Sequence, residues 1–373
     1  MFPIPKSKII LDLLFGGRSQ EHEIAILSAV SVLNALVKMP DEFTVFAVYL
    51  SKEGTWFRSQ TPLSHSVDVS ALKKLEKEGI SVSPSVDPKE AVYYSSHSGN
   101  TLPLPDLFFP VLHGTNGEDG TIQGLFELMG KPFVGSSVLG GSCGMDKEIM
   151  KRLFVSEGLP VLSWAAFHKE DWEENSEEIL NKIESHFSYP VFVKPSSLGS
   201  SVGISKATDK KSLRHSIELG FSHGEKILVE EGRVVREIEC AILGNHRLRA
   251  SCLGEVVPGA DFYDFEDKYK TGTAVLKIPA ELSSSMTQAI TQMALQAYRA
   301  IGARGLSRVD FFVCKDTEEI FVNETNTFPG FTQNSMYPKL FENSGLAFPD
   351  LLRELIRLGL EKKLEKEELW KLL

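Results

Sequence analysis

Ser307-Arg308-Val309-Asp310-Phe311-Phe312-Val313 runs into a polar turn, Lys315-Asp316-Thr317-Glu318, and then into Ile320-Phe321-Val322-Asn323-Glu324-Thr325-Asn326. Two strands of this kind around a polar turn predict a β-hairpin. Folding about Thr317 sets Asp310 opposite Glu324 and Arg308 opposite Asn326, and the two-residue period turns all four side chains to one face. The other face then holds Val309, Phe311, Val313, Phe321 and Asn323. Directly opposed carboxylates lie roughly 4.5–5.5 Å apart at Cβ and repel, so their approach is costly unless a cation sits between them. Oxygen-only donors favour Mg²⁺ or Mn²⁺ over zinc. The competing interpretation is a solvated polar face on an ordinary hairpin; the segregation of polar from apolar residues weighs against it.

Working outward, 373 residues exceed what one hydrophobic core ordinarily serves, and 42% apolar with 24% charged residues is globular composition. Two or three domains follow. Forty basic against fifty acidic residues leave a formal charge of −10 without a long basic stripe. That argues against general nucleic-acid binding and leaves small charged ligands to local patches. Cys143, Cys240, Cys252 and Cys314 show no C-x-x-C spacing and have small or apolar neighbours, so they predict buried free thiols in a reducing cytoplasm. The apolar run at 9–15 is short, contains Asp12 and leads into Gly16-Gly17, and no apolar stretch approaches about 18–20 residues. A protein that is neither secreted nor membrane-bound is expected.

Residues 9–15 predict a buried strand, 21–39 a helix, 43–50 and 107–112 further strands and 120–129 a helix, together a small parallel sheet with a crevice at its strand ends. Residues 58–105 carry Ser, Pro and Lys in loops and resist placement. A helix from about 146 to 157 follows the Gly-rich stretch 140–144, which marks a boundary. Strands at 191–194 and 226–230 alternate with helices at 171–186 and 209–219 in a compact α+β module. A third region has β character from 238 to 252, a helix at 283–301, the hairpin, and a closing amphipathic helix whose Glu/Lys-rich end has the pattern of a solvated surface.

Several segments carry candidate chemistry. Lys194-Pro195-Ser196-Ser197-Leu198-Gly199-Ser200-Ser201-Val202-Gly203 joins a strand to a loop in which backbone N–H groups can approach an oxyanion; a plain turn is the equal alternative, because the P-loop order is missing. Lys226-Ile227-Leu228-Val229-Glu230-Glu231-Gly232 ends a strand where an adenine edge could find a donor, an acceptor and apolar walls, although adjacent glutamates mostly face solvent. His113-Gly114-Thr115-Asn116-Gly117-Glu118-Asp119-Gly120 closes a strand and opens a helix, which suits close approach of a ligand. Glu21, at the start of a helix after Gly16-Gly17, is by default a cap and could alternatively bind an ammonium.

These blocks, with Glu21-His22-Glu23, Met145-Asp146-Lys147, Tyr263-Asp264, Lys268-Tyr269, Arg308-Val309-Asp310, Asn323-Glu324-Thr325-Asn326-Thr327 and Pro329-Gly330, occur in an order and over a span that resemble the D-alanine:D-alanine ligases of the ATP-grasp superfamily. The resemblance implies a multidomain fold of α/β and α+β units: an N-terminal parallel-sheet domain over 1–146 that binds substrate, and ATP-grasp domains over 147–237 and 238–373. It implies ATP and two Mg²⁺ or Mn²⁺ ions, with Lys147 and Lys194 on phosphates, Glu230, Glu231 and Glu237 about the adenine and ribose, and Asp310, Glu324 and Asn326 on metal. Glu21 would take the ammonium of the first D-alanine, tied to Ser200 and Tyr269, with His113 and Lys268 near the substrates. Arg308 and the Gly330 amide would form an oxyanion site, and Ser335 with Met336 would receive the second D-alanine. A cytoplasmic homodimer is the family expectation. Two residues depart from the family pattern: Glu231 stands where lysine is frequent, and Ala25 where serine is common. Tyr269 matches ligases that form a peptide rather than an ester.

Overall fold

The computed structural model describes residues 8–96, 98–199, 203–257, 275–332 and 335–370, with backbone alone from 362 onward. The apolar run near the N-terminus becomes β1 (Ile9–Gly16), followed by α1 (His22–Leu36), β2 (Phe43–Leu50), β3 (Trp56–Arg58), α2 (Val69–Lys73), α3 (Leu75–Glu78), β4 (Ile80–Pro84), β5 (Val92–Ser95), β6 (Thr101–Pro103) and β7 (Leu107–Val111). The strands form one sheet in the order β6-β5-β4-β3-β2-β1-β7. Only β1 with β2 and β1 with β7 run parallel. The remaining pairs are antiparallel, so the expected parallel sheet is extended by a meander through the segment that sequence patterns left as loops. Its strands are three to five residues long, too short for alternation to stand out from the Ser- and Pro-rich turns. β1 is apolar except for Asp12 because both faces are covered: Leu11, Leu13 and Phe15 pack with α1, while Leu14 meets Val48, Phe108 and Phe126 of α4 (Thr121–Leu128). Asp12, fully buried within β1, is held by Arg58 at 2.9 and 3.0 Å and by the Tyr93 hydroxyl at 2.7 Å.

The Gly-rich stretch expected to mark a boundary lies inside a helix, α5 (Val138–Met145). Glycine disfavours a helix by roughly 1 kcal/mol per residue, and close packing outweighs that here. A Cβ at Gly140 would stand 2.9 Å from the Ala303 Cα, at Gly141 2.9 Å from the Glu118 carbonyl oxygen, and at Gly144 2.8 Å from the Thr327 Cγ2. The glycines let α5 lie directly against the backbones at Ala303 and Glu118 and the Thr327 side chain.

α6 (Lys147–Ser156), β8 (Trp164–His168), α7 (Lys169–His186), β9 (Val191–Pro195), β10 (Ser205–Ala207), α8 (Lys210–Phe221) and β11 (Lys226–Glu231) follow. The four strands form an antiparallel sheet, β10-β9-β11-β8. Its core is separate: Leu180 and Ile183 of α7 and Leu213 and Ile217 of α8 pack on Val191, Val193, Ile227 and Val229. Period two then turns Lys194, Leu228 and Glu230 to the opposite face.

The last sheet, β14-β13-β12-β15-β16, comprises β12 (Val235–Leu243), β13 (Arg249–Val257), β14 (Val275–Lys277), then, after α9 (Ser284–Ala300), β15 (Leu306–Cys314) and β16 (Ile320–Asn326). The hairpin register is the expected one at its functional end, with Arg308 opposite Asn326 and Asp310 opposite Glu324. Beyond Asp310 it slips by one residue, so that Phe311 pairs with Val322 and Phe312 with Phe321. Asn323 is the extra residue of this bulge. Phe321 and Asn323, expected on the apolar face, are only half-buried, and Val322 and Thr325 join Val309, Phe311 and Val313 inside. The slip keeps Val322 in the core while holding Glu324 opposite Asp310.

α10 (Met336–Asn343) packs on β12 and β13 of the last sheet, and α11 (Phe348–Trp370) returns to β7 and α1 of the first. Tyr337, Leu352 and Ile356 share one core with Leu11, Phe15 and Leu33, and with Leu243 and Leu306 of the last sheet. Among the described residues no helix is long and apolar enough to cross a membrane. All four cysteines are free thiols.

Candidate active site

The site face of the hairpin is tightly paired. Arg308 donates to both Asp310 oxygens at 2.7 Å, and its Nε lies 3.0 Å from Glu239 on β12; the Asn326 amide nitrogen donates to Asp310 at 2.9 Å. Because Glu239 is the register partner of Asp310 on β12, Asp310 has a glutamate beside it on each flanking strand. Burial disfavours the guanidinium, but Asp310 and Glu239 outweigh it and raise its pKa well above the ordinary value. Among the described residues no three His, Cys, Asp or Glu side chains converge as a metal cluster. The donors on offer are two carboxylates, Asp310 and Glu324, with the Asn326 amide oxygen. That set fits an Mg²⁺-type ion, which takes few protein carboxylates and completes its shell with phosphate oxygens and water.

Facing the hairpin are lysines from α6 and β9. Asp146 caps α6 through the N–H groups of Glu148 (3.0 Å) and Ile149 (3.1 Å) and accepts from the Ser196 hydroxyl at 2.9 Å, tying the helix to the loop after β9. Lys147 donates from its Nζ to the Leu198 carbonyl at 2.6 Å and stands 3.8 Å from Glu324. Glu230 does not turn its carboxylate to the open: it is buried, with Lys151 on one oxygen and Lys194 on the other. Burial would raise its pKa, and the two lysines instead hold it at about 2. Lys151 is itself lowered by burial, against the pull of Glu230. Glu231 is half-buried, taking the Ser163 N–H at 3.3 Å, and Glu237 lies on β12 between Val256 and Phe312.

The third wall comes from the first sheet. Glu21 begins α1 but makes no side-chain capping bond, so the default expectation for it fails. Its carboxylate instead reaches between the loops after β7 and β9: a Cβ built on Gly199 would stand 3.1 Å from its Oε2. His113 is buried, and burial lowers its pKa from the ordinary imidazole value, which favours the neutral ring. Its Nδ1 faces the Phe328 carbonyl at 3.2 Å and must donate there, which leaves Nε2 to accept from the Ser28 hydroxyl at 3.0 Å; Ser28 in turn accepts the Phe331 N–H at 3.3 Å. Glu118 accepts N–H groups from Gly114 at 2.7 Å and Phe328 at 3.1 Å, and burial, then the nearby charge of Glu21, pushes its carboxyl up to about 8. Ser335 lies against Gly330 and its hydroxyl takes the Thr332 N–H at 2.9 Å. Met336 packs its side chain into the core against Gly254, so it has only its backbone to offer a substrate.

Residues 10–136 match a family model described as D-ala D-ala ligase N-terminus, and residues 153–357 one described as D-ala D-ala ligase C-terminus. The chain belongs to the D-alanine–D-alanine ligase family. A D-alanine–D-alanine ligase from Natranaerobius thermophilus is 43% identical over 96% of this chain and 97% of its own, and one from Bacillus cytotoxicus 41% over 97% and 99%. Among solved structures, the D-alanine–D-alanine ligase of Coxiella burnetii superposes with a TM-score of 0.84 at 33% identity, covering 98% of this chain and 97% of that one. The VanG D-Ala:D-Ser ligase of Enterococcus faecalis gives 0.82 at 32%, covering 95% and 100%. The three sheets described above are thus those of an ATP-grasp ligase whose N-terminal sheet is parallel at its β2-β1-β7 end.

Within this ligase family member the described residues bring Arg308, Asp310, Glu324, Asn326, Lys147 and Lys194 to one cleft and set Glu21 at its edge. Ser200, Lys268 and Tyr269, with the Tyr263-Asp264 pair, lie outside the described residues. Three charged residues packed beside the site residues escaped the sequence patterns: Glu118, Lys151 and Glu239. The available signals were weak: an acid inside a Gly-rich turn, a lysine one helical turn after Lys147, and a second acid two residues after Glu237 on the same strand face.

Proposed function

We propose that the protein is an ATP- and Mg²⁺-dependent ligase joining two D-alanines into D-alanyl-D-alanine for peptidoglycan precursors. The observation that carries this function is the face on which Arg308, Asp310, Glu324 and Asn326 meet across β15 and β16, with Lys147 reaching over to Glu324. A carboxylate is a poor electrophile, and ATP with two Mg²⁺ or Mn²⁺ ions supplies the phosphoryl group that makes it an acyl phosphate and the charge that offsets the phosphates. Asp310, Glu324 and Asn326 hold the ions, and Lys147 and Lys194 bind phosphate oxygens. The strand edge at Glu230 and Glu231, with Glu237, receives adenine and ribose. Glu21 binds the ammonium of the first D-alanine, supported by Ser200 and Tyr269, with Lys268 and His113 positioning the substrates. When the amine of the second D-alanine attacks the acyl carbon, Arg308 and the Gly330 N–H stabilise the oxyanion, and Ser335 with the Met336 N–H takes the second carboxylate. The segment 258–273, outside the described residues, is assigned the exclusion of water from the acyl phosphate. Domains over 1–146, 147–237 and 238–373, a homodimeric state and a cytoplasmic location belong to the same proposal and rest on family membership.

Phosphate release with ATP, Mg²⁺ and D-alanine, compared with L-alanine, D-lactate and D-serine, tests it. Dipeptide from D-alanine alone is the expected product. The likeness to a D-Ala:D-Ser ligase supplies the second candidate. A mixed product favoured when both D-alanine and D-serine are present would replace the first proposal with it.

A further inference from the structure

Lys151 has no role in the function above, yet it is only 2% exposed and grips one oxygen of Glu230 while Lys194 grips the other. Two ammonium groups on one carboxylate leave a surplus positive charge away from water, where a single lysine would have balanced the pair. The lysines are not equivalent. Lys151 is sealed on α6, whereas Lys194 lies at the cleft end of β9, 5.7 Å from the Phe312 ring and next to the loop that Lys147 holds at Leu198.

We propose that Lys151 is the positioning residue that frees Lys194: it stays on Glu230 as resident counter-charge when Lys194 turns to an incoming nucleotide phosphate. This rests on the nucleotide-binding role proposed above for Lys194. Without Lys151, the departure of Lys194 would leave a bare carboxylate out of reach of water, so Lys194 would stay locked on Glu230. The surplus charge of the trio is then what the phosphate neutralises, and Lys151 acts on the nucleotide only through Glu230.

Calorimetric titration of the full chain with the non-hydrolysable ATP analogue AMPPNP and Mg²⁺, without D-alanine, reads this directly. Lys151→Met should weaken binding by about tenfold or more, and Lys151→Arg, which keeps the charge, should stay within about threefold of the parent. The two changes should not add: Glu230→Gln and the double variant Lys151→Met/Glu230→Gln should bind within about threefold of each other, since neither leaves a carboxylate to lock Lys194. Parental affinity in a folded Lys151→Met overturns the inference. So does a double variant about tenfold weaker than Glu230→Gln, because Lys151 would then touch the nucleotide itself. If Lys151→Met does not fold, the Glu230→Gln pair decides alone. A parent protein that binds no AMPPNP overturns the ligase proposal as well, whereas the outcomes above leave it standing.

Discussion

At Arg308 two demands oppose each other: burial disfavours the guanidinium, and Asp310 with Glu239 keeps it charged and aimed. A group held this way needs no reorganisation when negative charge develops beside it, which is the condition for oxyanion stabilisation. Arg308→Ala should lower dipeptide turnover by about 100- to 1000-fold while AMPPNP affinity stays near the parent's, read by phosphate release and calorimetry. Turnover like the parent's would remove Arg308 from the chemistry. Glu324→Gln removes one of the two carboxylates of the donor set and should shift the Mg²⁺ titration of activity to concentrations about tenfold higher or more. An unshifted titration would place the ion elsewhere. Both residues were legible because strand alternation puts a polar set on one face, whatever the tertiary context. Lys151 and Glu118 were not, because a lysine or glutamate is expected at the surface unless its partner is known, and Glu230, which holds Lys151, and Phe328, which donates to Glu118, lie far off in sequence.

Elements tell a similar story about what travels in local pattern. The central sheet and its two helices follow period, with apolar residues recurring along one face, and α8 also follows capping, Asp209 beginning it with a reciprocal capping box to Ser212. The hairpin register was legible at Arg308 and Asp310 but not beyond, since the bulge at Asn323 is decided by which of Phe321 and Val322 the core accepts. α5 was hidden because its glycines argue against a helix locally and are justified by the backbone and side-chain atoms packed on it. Gly144→Val tests that account: the added carbons would press on Thr327, and overpacking should lower stability by about 1–3 kcal/mol in urea unfolding. A midpoint equal to the parent's would mean that α5 packs less closely than its glycines indicate.

For the molecule as a whole, stability in acid should follow Glu230. Its carboxyl is held at about 2, below its ordinary 4.5, because Lys151 and Lys194 overcome burial. A depressed folded-state pKa gives stabilisation that is full above the ordinary value and is lost as pH falls from about 4.5 to 2, on the order of 3 kcal/mol. Glu230→Gln should therefore flatten the acid limb of unfolding free energy against pH over that window. A limb as steep as the parent's would assign acid lability to other carboxylates. The distribution of cores has a further effect. β7 and α1 find part of their cover in α11, more than two hundred residues further on, whereas the four-stranded sheet has its core partners close at hand. On the ribosome, then, the first sheet must emerge and wait with a bare flank until α11 has been made, whereas the four-stranded sheet can close on itself much sooner.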